Sequence, residues 1–533
     1  MKPALLHLAT LSLLTGTSLA APYASGLSVS GNTISFILNE AADKVSVSLN
    51  NGASTLNLGP RPAGTHSFDS AGSPSWQIIV EKAAPPGWRA GTLQQISSDA
   101  NPLTQYVNGR GVCIARSPKS RSFGRVYVSV GSSGTTTTGR SVPEGIYPLN
   151  ADLSATPLGT NPLTGGLSFT ASTESPYRLT AGDDGTLYIA DWSDQTGTLY
   201  STDADVANGT NLLAGPVGSP FPVTDTRIHG SIAAVAVEGS IATSDLKLWL
   251  IDEDLQDDKL ATTQSQTNSL WEWRLNAEAP FVPLNGPPLR LSSAGIAFAS
   301  QTADIVRSKT GTFYKTQRRA NGGESGVFII DSTGITLDSS LTSWRTFKGD
   351  LTLRDVFTET VAADLTDDGQ FLAVLRRDNA FHIVHVGTGL FDFNRYSLLT
   401  TTPTTVAGRD IAFDPAGNVY MLSSGNQLLR VFAPGGTSKA TTGSDATFSI
   451  AFEPLPPPTP IITAVTGTPN AVVIDFSAPG ASLADFALER SPDLATWLPD
   501  ASAQFAGESP SFSVNAVGIT PGSKEFFRVR RLR

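Results

Sequence analysis

Between Gly408 and Pro434 the chain reads GRDIAFDPAGNVYMLSSGNQLLRVFAP. Three short apolar runs, IAF, VYML and LLRVF, are broken by DPAG and SSGN, so the pattern predicts three consecutive strands joined by tight turns. The middle of this unit recurs. A G-x-apolar-Y signature stands at Gly124–Tyr127 (GRVY), Gly185–Tyr188 (GTLY), Gly311–Tyr314 (GTFY) and Gly417–Tyr420 (GNVY), with weaker copies at Asp245–Leu248 (DLKL) and Gly369–Leu372 (GQFL). First positions 124, 185, 245, 311, 369 and 417 are separated by 61, 60, 66, 58 and 48 residues, an internal repeat. Short apolar runs precede the copies: VCIA, YRLTA, IAAVAV, GIAFA, VAADL and DIAF. A first strand, a turn at D-x-x-G and a second strand G-x-V-Y describe a four-stranded propeller blade. One blade cannot bury both faces alone, so the repeats predict a ring. Residues 85–453 are thus expected to form a six-bladed β-propeller. SIAFEP at Ser449–Pro454 echoes DIAFDP at Asp410–Pro415 and is expected to complete the first blade across the seam; a seventh, degenerate blade is the alternative.

The flanks alternate with period two. Residues 21–84 contain LSVSG, TISFILN, KVSVSLNN, STLNLG, HSFD and WQIIVEK, the pattern of a small antiparallel sandwich. Beyond EPLPPPTP, a stiff proline-rich linker over 454–460, residues 461–533 give ITAVTGT, AVVIDFSA, FALERS, FSVNAV and FFRVRR, a second sandwich. The expected class is all-β, a propeller flanked by two small β-sandwich modules. Three resemblances refine it. The N-terminal stretch, most specifically PAGTHSFD at Pro62–Asp69, resembles the immunoglobulin-like domain of flagellar hook-capping and other exported bacterial proteins, which implies a spacer or contact module. The tail resembles fibronectin-type modules of secreted bacterial proteins. The units at Ser175–Asp205 and Gly408–Gly436 resemble NHL repeats.

The chain opens MKPALLHLATLSLLTGTSLAAPYA, with Lys2, an apolar core at Ala4–Leu14 and small residues Ser18-Leu19-Ala20, as in a secretory signal peptide cut after Ala20. The expected location is secreted, periplasmic or at the cell surface, without membrane insertion and as a monomer. Cys113, in GVCIA, is the single cysteine, so no internal disulfide can form, and it reads as a small buried hydrophobe. A formal charge of −10 argues against nucleic acid as a partner.

Loops that enter first strands or follow second strands share one face of such a ring and can converge on a ligand. They carry Arg178 (SPYR), His229 (DTRIHG) and Arg409 (AGRD) at entries, and Asp191, Trp192, Arg318 and Arg377 after second strands. Arginines beside a tryptophan suit an anionic or sugar-like ligand through forked hydrogen bonds and stacking, or else are solvated loop ends. As exposed positions, Arg178 and Trp192 are expected to tolerate alanine without loss of stability. No nucleophile elbow and no H-E-x-x-H pair is present, and His382 and His385, three apart in FHIVHV, point to opposite faces of a strand. SPDLATW at Ser491–Trp497 lacks the glycine of a sialidase Asp box. Calcium is the metal worth asking about, at Asp252, Glu253, Asp254, Asp257 and Asp258 or in DADVANG at Asp203–Gly209, but neither spacing matches a calcium loop and no cofactor is expected. These features predict an exported, non-catalytic binding or scaffold protein for an extracellular glycan or protein; the alternative is a metal-dependent hydrolase or lactonase working in the channel.

Overall fold

The computed structural model describes residues 21–84, 93–169, 174–192, 198–212, 232–252, 269–274, 289–290, 303–318, 325–348, 356–400, 407–434, 436–452, 461–468, 470–478, 486–494, 496–508, 511–518 and 525–531. Apart from the helix Ser340–Lys348 and a 3-10 turn at Pro102–Thr104, their regular elements are strands. No helix among them is long and apolar enough to cross a membrane.

Six antiparallel sheets follow in chain order. Their first strands are Gly109–Ile114, Leu179–Ala181, Ile232–Glu238, Ala303–Arg307, Thr360–Leu365 and Gly408–Phe413, each at one edge of its sheet. Each first strand contacts that of the next sheet, and Gly408–Phe413 returns to Gly109–Ile114. This cyclic order is that of a β-propeller. Every seam has its own apolar cluster. Tyr188 and Trp271 fill the second-to-third seam, Trp249 and Phe313 the third-to-fourth, Val327 and Val374 the fourth-to-fifth, and Leu375 and Met421 the fifth-to-sixth. Val112 and Tyr420 close sixth to first, and Tyr127 and Leu187 first to second.

The repeat signature has a local cause. Gly124, Gly185, Gly311, Gly369 and Gly417 adopt φ of 82°, 88°, 96°, 71° and 80°, which a side chain would strain. Two residues later the second strand begins, and Tyr127, Tyr188, Tyr314 and Tyr420 are buried between sheets. Where the signature degrades, Ser244 takes φ 57° just before Asp245.

Ring closure differs from expectation. The fourth strand of the sixth sheet is Gln94–Gln95, which pairs with Leu428–Ala433, so a strand preceding the ring in sequence closes it. Phe448–Phe452, which carries SIAF, is no part of the first sheet. It pairs with Ser438–Gly443, which adds to the free edge of Trp76–Lys82. The result is a five-stranded sheet, completed by Ala42–Leu49 and Ser54–Arg61, that shares a core of Phe36, Val47, Ile78 and Val80 with Ala24–Ser30, Thr33–Leu38 and Gly64–Asp69. The N-terminal module therefore draws on both ends of the ring. The edge of Trp76–Lys82 offers the return chain a row of main-chain hydrogen bonds. Residues 461–531 form two further sheets around Ile474, Phe476, Leu488, Phe512 and Val514.

Ala440 is fully buried where the return strand meets the module. Ala440→Asp places an uncompensated carboxylate there and is expected to cost about 2–3 kcal/mol. Hydrogen exchange should then lose protection in 21–82 as well as 438–452; loss confined to 438–452 contradicts the shared sheet.

Candidate functional site

The first strands enclose a channel of about 850 Å³. Its wall is formed by the later residues of those strands and its mouth by the strand ends Glu238 and Arg307 and the turns that follow, among them Arg116, Lys119, Asp183 and Asp367. Because first strands run toward this mouth, it opens at the end opposite the loops that sequence reasoning favours.

Three carboxylates in the wall join successive sheets. Asp304 Oδ2 accepts the Ala363 N–H at 3.0 Å, Asp364 Oδ2 accepts that of Phe413 at 2.7 Å, and Asp410 Oδ2 accepts that of Val112 at 2.8 Å. The other oxygen of each accepts the N–H of the residue after it, Ile305, Leu365 or Ile411. Strands side by side at the centre of a ring splay apart, and a short acid side chain spans the gap that backbone groups cannot. On the remaining seams Thr180 Oγ1 donates to the Val235 carbonyl at 2.8 Å, Ser129 Oγ to that of Tyr177, and Arg307 pairs with Glu238.

Such carboxylates need a cation, and Arg178 supplies it. From the second sheet its Nη1 bonds Asp410 and lies 3.4 Å from Asp304 Oδ2, while Nη2 donates to the Val361 carbonyl, so one guanidinium links four sheets. Burial pushes the Asp410 carboxyl up to about 7 against the pull of Arg178, and Asp304 is raised by burial too. Nearer the mouth, Arg116 donates to the Leu365 carbonyl at 2.7 Å and pairs with Asp364 at 3.3 Å and Asp367 at 3.2 Å.

The sequence-derived candidates separate accordingly. Arg178 is 3% exposed, and Asp191 fully buried at the end of Leu187–Asp191, so neither stands on an open face. The premise that Arg178 is an exposed position is corrected: its side chain is buried, and its partners are buried carboxylates. Trp192 is partly buried, its ring 6.3 Å from that of Tyr177, wedged against the cores of two seams. Arg409 donates from Nε to Ser424 Oγ at 2.8 Å, and Arg377 lies 3.6 Å from Glu359. Arg318, partly buried, directly follows Phe313–Gln317. His229, and in the acidic loop Glu253, Asp254, Asp257 and Asp258, lie outside the described residues.

Sequence reasoning passed over Arg110. It is buried and paired with Glu174 at 2.8 Å; burial lowers its guanidinium, Glu174 opposes that shift, and the like charge of Arg409 adds to it. It also passed over Asp304, Asp364 and Asp410. Their signal was an Asp before Ile or Leu inside an apolar run, in ADIV, AADL and RDIAF.

His382 packs edge-on against Phe357 and is held at about 3 by burial, while His385 meets Gln370 Oε1 at 3.2 Å. Cys113 is buried, its thiol pushed up by that burial. Asp203 folds its own loop, accepting Asp205 and Ala207 N–H groups and the Asn208 amide. Among the described residues no three His, Cys, Asp or Glu side chains converge as a metal site.

No protein-family model and no curated protein matches the chain significantly. Among solved structures, a structural-genomics protein of unknown function from Bacteroides thetaiotaomicron aligns over 77% of this chain and 98% of its own, at 12% identity and a TM-score of 0.36. The WD40 β-propeller domain of Doa1 aligns over 66% and 98%, also at 12% identity and a TM-score of 0.36. Likeness at that level is slight, and the propeller assignment rests on the cyclic order of the sheets.

A carboxyl whose pKa is higher folded than unfolded holds its proton more tightly when folded, so its stabilising effect is full below about pH 4 and is lost as pH rises through the folded value. Asp410 and Asp414, both pushed up to about 7 by burial, act this way. Carboxyls lowered by their partners, such as Asp99 and Asp203, matter only at more acid pH. The urea midpoint is therefore expected to fall from pH 5 to pH 7.5, and Asp410→Asn to flatten the decline. An unchanged slope in Asp410→Asn contradicts the assignment.

Proposed function

We propose that the protein is an exported, non-catalytic binding protein. In this reading a six-bladed, NHL-like propeller is carried between an immunoglobulin-like and a fibronectin-type module, and an extracellular glycan binds at the channel mouth. The carrying observation is the division of labour among the polar groups there. The wall carboxylates Asp304, Asp364 and Asp410 have both oxygens occupied by backbone N–H groups, with Arg178 or Arg116 beside them. A general acid or nucleophile needs an oxygen free to meet substrate, and these are engaged in holding the ring.

The mouth is different. Lys119, Lys309, Asp183 and Asp368 face solvent there, with Arg116, Glu238, Arg307 and Asp367 partly exposed around the rim. Charges of both signs around a cavity of about 850 Å³ suit a polyhydroxylated chain, which donates and accepts, better than a polyanion, which would meet four carboxylates. This moves the proposed ligand from the loop end of the ring to its turn end.

A glycan array followed by titration of the best binder tests the reading. Lys119→Ala and Asp183→Ala, both at exposed positions, are expected to change stability by no more than about 0.5 kcal/mol. Each should weaken binding about tenfold, the loss of one charge-assisted hydrogen bond, while Arg377→Ala and Arg409→Ala bind as the parent does. Weakening that follows Arg377 and Arg409 instead returns the site to the loop end. One calcium or zinc retained per chain through gel filtration, together with lactone hydrolysis, replaces the reading with that of a hydrolase.

A further inference from the structure

The turn Asp414–Asn418 differs from its counterparts. Asp184 and Asp368, exposed in the turns after the first strands of the second and fifth sheets, accept the N–H groups of Thr186 and Gln370, and Asp331, in a turn between third and fourth strands, accepts those of Thr333 and Ile335. Asp414 makes the same bonds, to the N–H groups of Ala416 at 2.9 Å and Asn418 at 2.8 Å, but is 2% exposed. Ala21 and Tyr23 lie against this turn.

Ala21, 1% exposed, donates its N–H to Asn418 Oδ1 at 3.3 Å and accepts from Asn418 Nδ2 at 3.2 Å and Asn39 Nδ2 at 3.4 Å. Asn418 Nδ2 also donates to Asp414 Oδ2 at 2.7 Å, so one amide bridges the Ala21 backbone and the carboxylate. Two residues on, the Tyr23 ring is held edge-on between Phe123, in the turn between the first two strands of the first sheet, and Phe448 at the start of Phe448–Phe452, each 5.8 Å away. The Tyr23 hydroxyl, buried near enough to Asp414 to feel its charge, has no hydrogen-bond partner. Burial is the largest influence on Asp414, opposed by hydrogen bonds from Asn418 and Ala416 and reinforced by Asp367; the Arg116 guanidinium, itself paired with Asp364 and Asp367, also feels the Asp414 charge.

We propose that cleavage after Ala20 makes a further cation: the new α-ammonium of Ala21 docks at the Asp414–Asn418 turn, adds positive charge beside the buried carboxylate, and so locks the N-terminal module onto the sixth sheet as the protein matures. This rests on the export reading above. Hydrolysis of the Ala20–Ala21 bond by a signal peptidase consumes one water, leaves a carboxylate on Ala20, and gives Ala21 an amine that takes up a proton at neutral pH. Its N–H already points at Asn418 Oδ1, so docking adds charge without requiring a new path for the chain. Asn418 then accepts from the ammonium while donating to Asp414.

The test compares full-length chains that start at Ala21 with a free or an acetylated amine, each with Asp414 or Asp414→Asn. With Asp414 present, the free amine should raise Tm at pH 6 by about 3 °C or more over the acetylated form, and Asp414→Asn should abolish the difference. Equal Tm values with Asp414 present, or an equal difference in both backgrounds, overturns the docking. Should Asp414→Asn fail to fold, NMR titration of the α-amine in the parent decides: a pKa above the usual range of about 7.7–8.0 supports docking, and one within it overturns it. N-terminal sequencing of exported protein separates the two readings. An intact Met1 overturns maturation coupling together with the cleaved-signal reading, a start at another residue overturns maturation coupling alone, and an Ala21 start with unchanged Tm overturns docking alone.

Discussion

One guanidinium at the centre of the ring, Arg178, stands between two buried carboxylates. Asp304 and Asp410 are where they are because adjacent first strands cannot satisfy each other's backbone across a splayed seam, and each accepts an N–H from the next sheet. Two buried negative charges are costly, and the arginine that offsets them comes from a third sheet and bonds the backbone of a fourth. The channel is accordingly a braced interior along most of its wall. Only where first strands end and turns begin do charged side chains reach solvent, and that geometry moves the expected ligand site from one end of the ring to the other.

A ring assembled from one chain has a seam where the chain enters and leaves, and here the seam is fastened several times over. Gln94–Gln95 supplies the outer strand of the sixth sheet from the N-terminal side, Asp410 bonds Val112 across the inner strands, and Ser438–Gly443 leaves the ring to join the N-terminal module. Tyr23, Phe123 and Phe448 meet in one aromatic cluster that draws the module, the first sheet and the return strand together. Opening the ring at this point requires breaking the module as well.

What could be read from residues follows from how local each cause is. The glycine of G-x-apolar-Y is demanded by positive φ at its own position and the tyrosine by burial a few residues away, so the sheets and their order were legible. The sheet that takes up SIAF was not: any alternating run satisfies the pattern, and although its direct partner Ser438–Gly443 is close by, the edge that this partner joins lies far off, as the bond between Trp76 N–H and Ser444 Oγ across 368 positions illustrates. Arg178 looked like a loop residue because SPYR precedes a strand of only three residues, Leu179–Ala181, and nothing nearby in sequence reveals the carboxylates it meets. Asp304, Asp364 and Asp410 lie inside short apolar runs, and only the ring brings each to the backbone of its neighbour.

The claim that this arginine braces the ring is tested most directly by a double-mutant cycle between Arg178→Met and Asp410→Asn, with unfolding free energies measured in urea at pH 7. Arg178→Met leaves two carboxylates without their cation and is expected to cost about 3–5 kcal/mol. In the Asp410→Asn background the same substitution should cost at least about 1.5 kcal/mol less, because one of the orphaned charges is gone. Strictly additive losses, or an Arg178→Met variant as stable as the parent, would contradict the account.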